Sequence, residues 1–465
     1  MFFMSIEIYF FKTTEGKMSY FVINTLLKIL ENKKNSFYNL RTERNINTSA
    51  NVNFFGTDYV NVYINQLITH MKLLYLLSAL MCLNLSVAQK ITTFNKGKVV
   101  QKNYNVSVPY KDIKGLVIIQ AVINGKAYNF IVDTGAMSAI SQQLYNELGL
   151  KSDTGIDIGD SSNLSQKMKL TTLPPVQLGD ITFKDIPAVV ADEDSFFFKC
   201  LGIDGFIGSN MLRNSIVKFS YKDKTFSITD KLKNFSIYKK KGADLLKDKI
   251  QSNPYLWVGL KNNDIEGSET LLFDSGMVGL YDLSLSAYNT FQKVNLFTIL
   301  HEATGAYTLG IHGVEDQKEH YMLLIPELNF AGVSLKNIKT TTTSDTKSRI
   351  GSQILTYGDI VIDYPGRQLY FNPYTDGAID LAEKNWPVQP ILKEDKFVVG
   401  IVLYSAFNDR VNEGDEIIKF GEIDYSIIQP CEAFKMDIKP TSDTAIIVLK
   451  DIKTGEIKKV ELIKK

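Results

Sequence analysis

Histidine and cysteine are scarce in this sequence: four and three residues in a chain of 465. Three cysteines are too few for a disulfide scaffold or a cysteine-based zinc site. Four histidines leave little room for histidine-based chemistry. The HExxH, GxSxG and GxxxxGK(S/T) patterns are absent, which removes zincin, α/β-hydrolase and P-loop readings. An excess of one charge is also missing. Lys and Arg number 52 against 51 Asp and Glu, a net charge of +1, so the basic surplus of a nucleic-acid binder is not there and no nucleic-acid partner is expected. Hydrophobic residues make up 45% of the chain, too many for a disordered polymer. The length suits about two to four domains.

Near the start, the apolar run from Leu73 to Leu85 is too short for a good membrane span. It follows Met71-Lys72 and leads into Ser86-Val87-Ala88. A charged start, an apolar middle and a small-x-small end read as a secretory signal peptide at 71–88, cleaved after Ala88. The expectation is an exported protein, periplasmic or secreted, with no stable membrane span after cleavage. A buried helix at 72–85 is the alternative. Bulky Met81 ahead of Cys82 fits a lipoprotein signal poorly. Residues 1–70 carry no recognisable chemistry and read as a non-native upstream extension, with translation starting at Met71.

From Lys90 onward, short apolar segments alternate with turn residues, the pattern of an all-β fold of many strands. A lysine-rich stretch at 231–249 interrupts it and reads as a connector with a short helix at most. The blocks on either side repeat one another. FIVDTGA at 130–136 corresponds to LLFDSGM at 271–277. VQLGDITFKDIP at 176–187 corresponds to LNFAGVSLKNIK at 328–339. IGSNMLRNSIVKFSYKDKTFSI at 207–228 corresponds to IGSQILTYGDIVIDYPGRQLYF at 350–371. The landmarks keep their order, and their spacings differ only by loop lengths.

Asp133 and Asp274 each end an apolar run, so each sets a carboxylate where a buried strand opens into a tight turn. A third triplet, Asp153-Thr154-Gly155, has no such strand before it and reads as a plain turn. Two carboxylates brought close cannot both ionise, because like charge raises one pKa. One member then takes a proton from water while the other polarises a carbonyl. Gly135 and Gly276 let backbone approach the carboxylates, and the Thr134 and Ser275 hydroxyls can satisfy buried backbone groups between the copies. Such chemistry calls for no metal and no cofactor.

These residues resemble the aspartic peptidases of the pepsin–retropepsin clan, and the bacterial retropepsin-like members in particular, here duplicated within one chain. In that clan a hydrophobic-Gly pair packs beneath each Asp turn. The matching positions are Phe206-Ile207-Gly208 and Ile350-Gly351. The resemblance implies two pseudo-symmetric acid-protease-like β-barrel lobes, at 100–230 and 253–373, joined by a linker at 231–252. It implies an aspartyl protease, a hydrolase whose catalytic unit lies within one chain and whose substrate is a polypeptide. Flaps are implied at 155–166 and 304–313. Met277 is bulky where Ala136 is small, and Arg349 stands where an apolar residue is usual. A duplicated barrel that binds peptides without cleaving them is the alternative.

Residues 388–465 carry Gly414-Asp415-Glu416-Ile417-Ile418 and Gly421 between strand-like runs, which is similar to a PDZ domain, a small α+β fold. A peptide partner by strand addition and simple packing on the lobes are both open. His301, His312 and His320 are expected as surface or hydrogen-bonded residues, Tyr255 and Trp257 as packing residues, and Cys200 and Cys431 as two separate thiols.

Overall fold

The computed structural model describes residues 93–465, apart from Asp153, 193–195, 239–240, 307–308, 394–395 and 437–438. The expectations for 1–70 and for the signal peptide at 71–88 fall outside the described residues. Among those described, no helix is long and apolar enough to cross a membrane. Strands dominate, as the alternating apolar pattern requires, and helices are short.

Each half builds its own sheet. The first, of eleven strands, takes the strands from Lys98–Val99 to Gly205–Gly208 apart from Asn105–Pro109. The second, of eight strands, runs from Tyr255–Asn262 to Ile379–Asp380. Beneath both lies a six-stranded sheet contributed jointly, in which Ile216–Ser220 of the first half pairs antiparallel with Gly358–Asp363 of the second. Lys218 faces Val361, and these stand the same number of steps beyond Gly208 and Gly351. Val217↔Ile362 and Phe219↔Ile360 flank that pair and interchange the halves, so a local twofold axis passes between the two strands. Phe219 packs edge-on against Phe226 and Phe273, with ring centroids 5.1 and 5.9 Å away. One continuous apolar core runs through both halves.

Within each half the Asp-bearing strand lies parallel to a Gly-containing one. Lys126–Asp133 pairs with Gly205–Gly208, and Ile265–Asp274 pairs with Ser348–Gly351. Thr154 and Gly155 do not form the expected turn. They begin the strand Thr154–Gly159, held in a hairpin by Ser165–Thr172, and Asp153 is outside the described residues. Trp257 is not a packing residue: it is 56% exposed, because alternation along Tyr255–Asn262 turns Leu256 and Val258 inward instead.

The C-terminal segment forms a separate antiparallel sheet with its own core, including Val399, Ile401, Phe420, Ile447 and Leu462. Asp415, fully buried, accepts the Asn412 and Ile452 N–H groups (2.8 and 3.1 Å) and pairs with Lys458 at 2.6 Å. This explains the Gly-Asp turn read in the sequence, with Gly414 at φ +82°. Met322 of the second lobe joins this core, and Ala306 N–H donates to Gly400 O at 3.1 Å.

Cys200 and Cys431 form a disulfide, correcting the expectation of two thiols. They lie 231 residues apart, but the short helices Phe196–Leu201 and Pro430–Lys435 meet, with a Cα–Cα distance of 4.7 Å. Sequence separation had hidden the contact. Closing so long a loop restricts the unfolded chain, an effect of about 2–4 kcal/mol. Cys200→Ser with Cys431→Ser is therefore expected to lower the urea midpoint, and reductant to lower the wild type to the same value. An unchanged midpoint would show that the bridge adds no stability.

Candidate active site

The two Asp turns meet on the local twofold. Asp133 Oδ1 accepts the N–H groups of Gly135 (2.9 Å) and Ala136 (3.1 Å), and Asp274 Oδ1 accepts that of Gly276 (3.0 Å). The two carboxyl groups lie beside each other, each raising or lowering the other's ionisation. Each glycine sits against the opposite acid. A Cβ on Gly135 would lie 2.5 Å from Asp274 Cγ, and one on Gly276 would collide with the Asp133 carboxylate. Here the glycine is required by close approach rather than by a left-handed φ.

Thr134 and Ser275 lock the turns together, and both are fully buried. Thr134 Oγ1 donates to Phe273 O (2.7 Å) and accepts from Ser275 N (3.0 Å). Ser275 Oγ donates to Val132 O (2.6 Å) and accepts from Thr134 N (3.1 Å). Four backbone groups are thereby satisfied by side chains of the opposite lobe.

A further layer holds the turns from below. Ser209 Oγ donates to Thr134 O at 2.7 Å and contacts Tyr364 Oη at 2.9 Å. Asn210 Oδ1 accepts from Ser138 N and Oγ at 2.8 and 3.0 Å. A Cβ on Gly208 would strike the Met137–Ser138 backbone, and one on Gly351 would lie 2.5 Å from Gly279 O. Met277 keeps the loop geometry, since Ser352 N donates to its carbonyl at 2.9 Å just as Ser209 N donates to Ala136 O at 3.1 Å.

The acids are not equivalent. Desolvation, and next the charge of Asp274, hold the Asp133 carboxyl well above its ordinary value of 3.8. Desolvation also raises Asp274, but the Arg349 guanidinium opposes it. Arg349 is buried, with Nη1 3.6 Å from Asp274 Oδ2 and Nη2 3.1 Å from Asp282 Oδ2. Among the described residues no group of His, Cys, Asp and Glu is placed to hold a metal ion.

The acids open into a cleft of about 1450 Å³, larger than a typical small-molecule site. Two hairpins meet over it. In the first-lobe flap stretch the tip lies between Thr154–Gly159 and Ser165–Thr172. The second tip lies between Leu309–Gly310 and Gly313–Val314, while 307–308 fall outside the described residues. Asp160 Oδ2 accepts the His312 N–H (2.8 Å), His312 Nε2 donates to Ile158 O (2.9 Å), and Ser162 Oγ donates to Gly313 O (2.9 Å). His320 is buried and contacts Thr342 O and Glu315 at 2.8 and 3.1 Å. His301 packs at a tilt against Tyr404, centroids 4.0 Å apart.

Three parts of this site escaped sequence reading. Gln251 and Asn253 at the linker's end donate to Gly135 O (3.3 and 3.1 Å). Gln389, Pro390, Lys439 and Pro440 bring the C-terminal module into the cleft wall. Arg349 was visible as a departure, but its pairing with Asp274 was not.

Residues 119–211 match the family model described as aspartyl protease, a span that includes the first Asp turn and Gly208. A retropepsin-like aspartic protease from Rickettsia conorii is similar at 21% identity, covering 29% of this chain and 94% of that one, with a TM-score of 0.21. None of the curated proteins matches. Residues 119–211 carry an aspartyl-protease signature.

Proposed function

We propose that the chain is an exported aspartic endopeptidase that hydrolyses peptide bonds with a water activated between Asp133 and Asp274. The observation that carries this is the close approach of the two carboxyl groups across the local twofold, each against the opposite turn's glycine and held by the reciprocal Thr134 and Ser275 bonds. The ionised acid takes a proton from water as its oxygen attacks the scissile carbonyl. The protonated acid donates to the carbonyl oxygen. The tetrahedral diol then collapses, the C–N bond breaks, and the amine leaves with a proton returned through the pair. A cleft of this size admits several residues of an extended chain. Export agrees with the disulfide, which persists in oxidising compartments. Residues 388–465 are read as a PDZ-like module that shapes one wall of the cleft, in keeping with its contact to the second-lobe strand Thr298–Gly305.

The second reading, a peptide-binding barrel without turnover, draws on one observation: the buried Arg349 paired to Asp274. Peptide cleavage by residues 89–465, assayed across pH 3–8 beside Asp133→Asn and Asp274→Asn, separates the two. Turnover lost in either variant supports the peptidase. Peptide binding with no turnover in the wild type supports the barrel.

A further inference from the structure

Resting on the peptidase reading, we infer that Arg349 is a positioning residue that assigns the two acids unequal roles, keeping Asp274 as the base and leaving the shared proton on Asp133.

The argument begins with register. In the first lobe Phe206 lies opposite Ile131 on one side and Ala139 on the other. In the second lobe the corresponding residue is Arg349, opposite Leu272 and Asp282. An apolar cross-strand pair, Phe206 with Ala139, has become a charged pair, Arg349 with Asp282. All four line the cleft. The duplicated scaffold thus puts a cation beside one acid and a phenyl ring at the matching place beside the other.

The Arg349 side chain is 7% exposed and lies among three carboxylates: Asp282 at 3.1 Å, Asp274 at 3.6 Å and Asp345 at 3.8 Å. A guanidinium does not deprotonate in proteins, so its charge is permanent. In a partly desolvated site such a charge within about 4–6 Å favours the ionised form of its neighbour. The other groups near Asp274 are Asp133 from the first lobe, Tyr255 from the adjacent strand, and Asp282 and Asp345, which also pair with Arg349. The near charge on Asp133 is Asp274 itself, with the Tyr364 hydroxyl behind it. At Asp274 the Arg349 charge outweighs the opposing charge of Asp345, and among the described residues no cation acts on Asp133, so charge favours the ionised form of Asp274 within a singly protonated pair. Asp274 then receives the proton from water, and Asp133 gives its own to the carbonyl oxygen.

The test is the pH profile of kcat/KM for the wild type, Arg349→Lys, and the double variant Arg349→Phe with Asp282→Ala, which copies the first-lobe pair and leaves no unpaired carboxylate at position 282. Loss of the cation raises the pKa of the base. The acid limb of the double variant is expected to move up by about one pH unit or more. Arg349→Lys keeps the charge, so its limb stays near the wild-type position. A uniform fall in kcat/KM with an unmoved limb would mean that Arg349 only packs, and would overturn the proposal.

NMR titration of carboxyl-labelled aspartates, assigned with Asp133→Asn and Asp274→Asn, gives a second readout. Asp274 is expected to titrate below Asp133 in the wild type, and the two values to converge in the double variant. The reverse order in the wild type overturns the proposal even if the double variant does not fold. The titration needs no turnover, so an inactive chain would defeat the peptidase reading while leaving the role of Arg349 open to measurement.

Discussion

Asp133→Asn is expected to abolish peptide cleavage, by at least about 10³-fold in kcat, while raising the melting temperature at neutral pH. An amide there can neither hold the transferable proton nor accept one. The stability effect follows from the direction of the pKa shift. Burial and Asp274 hold the Asp133 carboxyl well above 3.8, so the folded chain keeps a proton that the unfolded chain releases. Where the folded state binds more protons, stability falls as pH rises from the unfolded pKa through the raised folded one. The wild type carries this penalty in full above the raised value; Asn has no charge to desolvate and escapes it. Scanning calorimetry from pH 7 downward should show the variant melting above the wild type at pH 7, with the gap closing toward about pH 4. A variant that melts lower at pH 7 would contradict the assignment of an acid whose ionisation is opposed by desolvation and by Asp274. Asp274→Asn should also abolish cleavage. Its stability gain is expected to be smaller, because Arg349 compensates Asp274 and would lose a partner.

The second large effect concerns the lock between the lobes. Thr134→Ala orphans Ser275 N and Phe273 O, and Ser275→Ala orphans Thr134 N and Val132 O. Each buried backbone group left without a partner costs about 1–3 kcal/mol. Against a stability of about 5–15 kcal/mol for a typical domain, the double variant should lose most of its cooperative unfolding transition. Thr134→Ser keeps the hydroxyl and should retain most of the stability. Urea denaturation of these four variants beside the wild type decides this. A double variant with a wild-type midpoint would mean that water replaces the hydroxyls, and that the lobes are held by their shared sheet alone.

Much of the site was legible because it is written twice. The repeat of a buried strand, an Asp turn and a distant Gly-containing strand identified Asp133, Asp274, Thr134, Ser275 and the glycines at 135, 208, 276 and 351. The structure gathers these around one axis. Local signals failed where the answer was a long-range contact. Cys200 and Cys431 have no local reason to pair. Trp257 looked like core because aromatic residues usually are, yet strand alternation faces it outward. The Asp-Thr-Gly at 153–155 showed turn chemistry, but two of its residues were taken into a ladder by the strand Ser165–Thr172.

Hydrophobic periodicity between neighbouring residues, and the repetition of one block of sequence in another, were enough to point to an all-β chain with two like halves and two candidate acids. The tertiary structure alone decided which charges come together. It set Arg349 against Asp274, joined the flap tips through Asp160 and His312, and brought the C-terminal module into the cleft wall. The reason is physical: electrostatic coupling depends on distance and burial across the fold, and neither can be read from residue spacing along the chain.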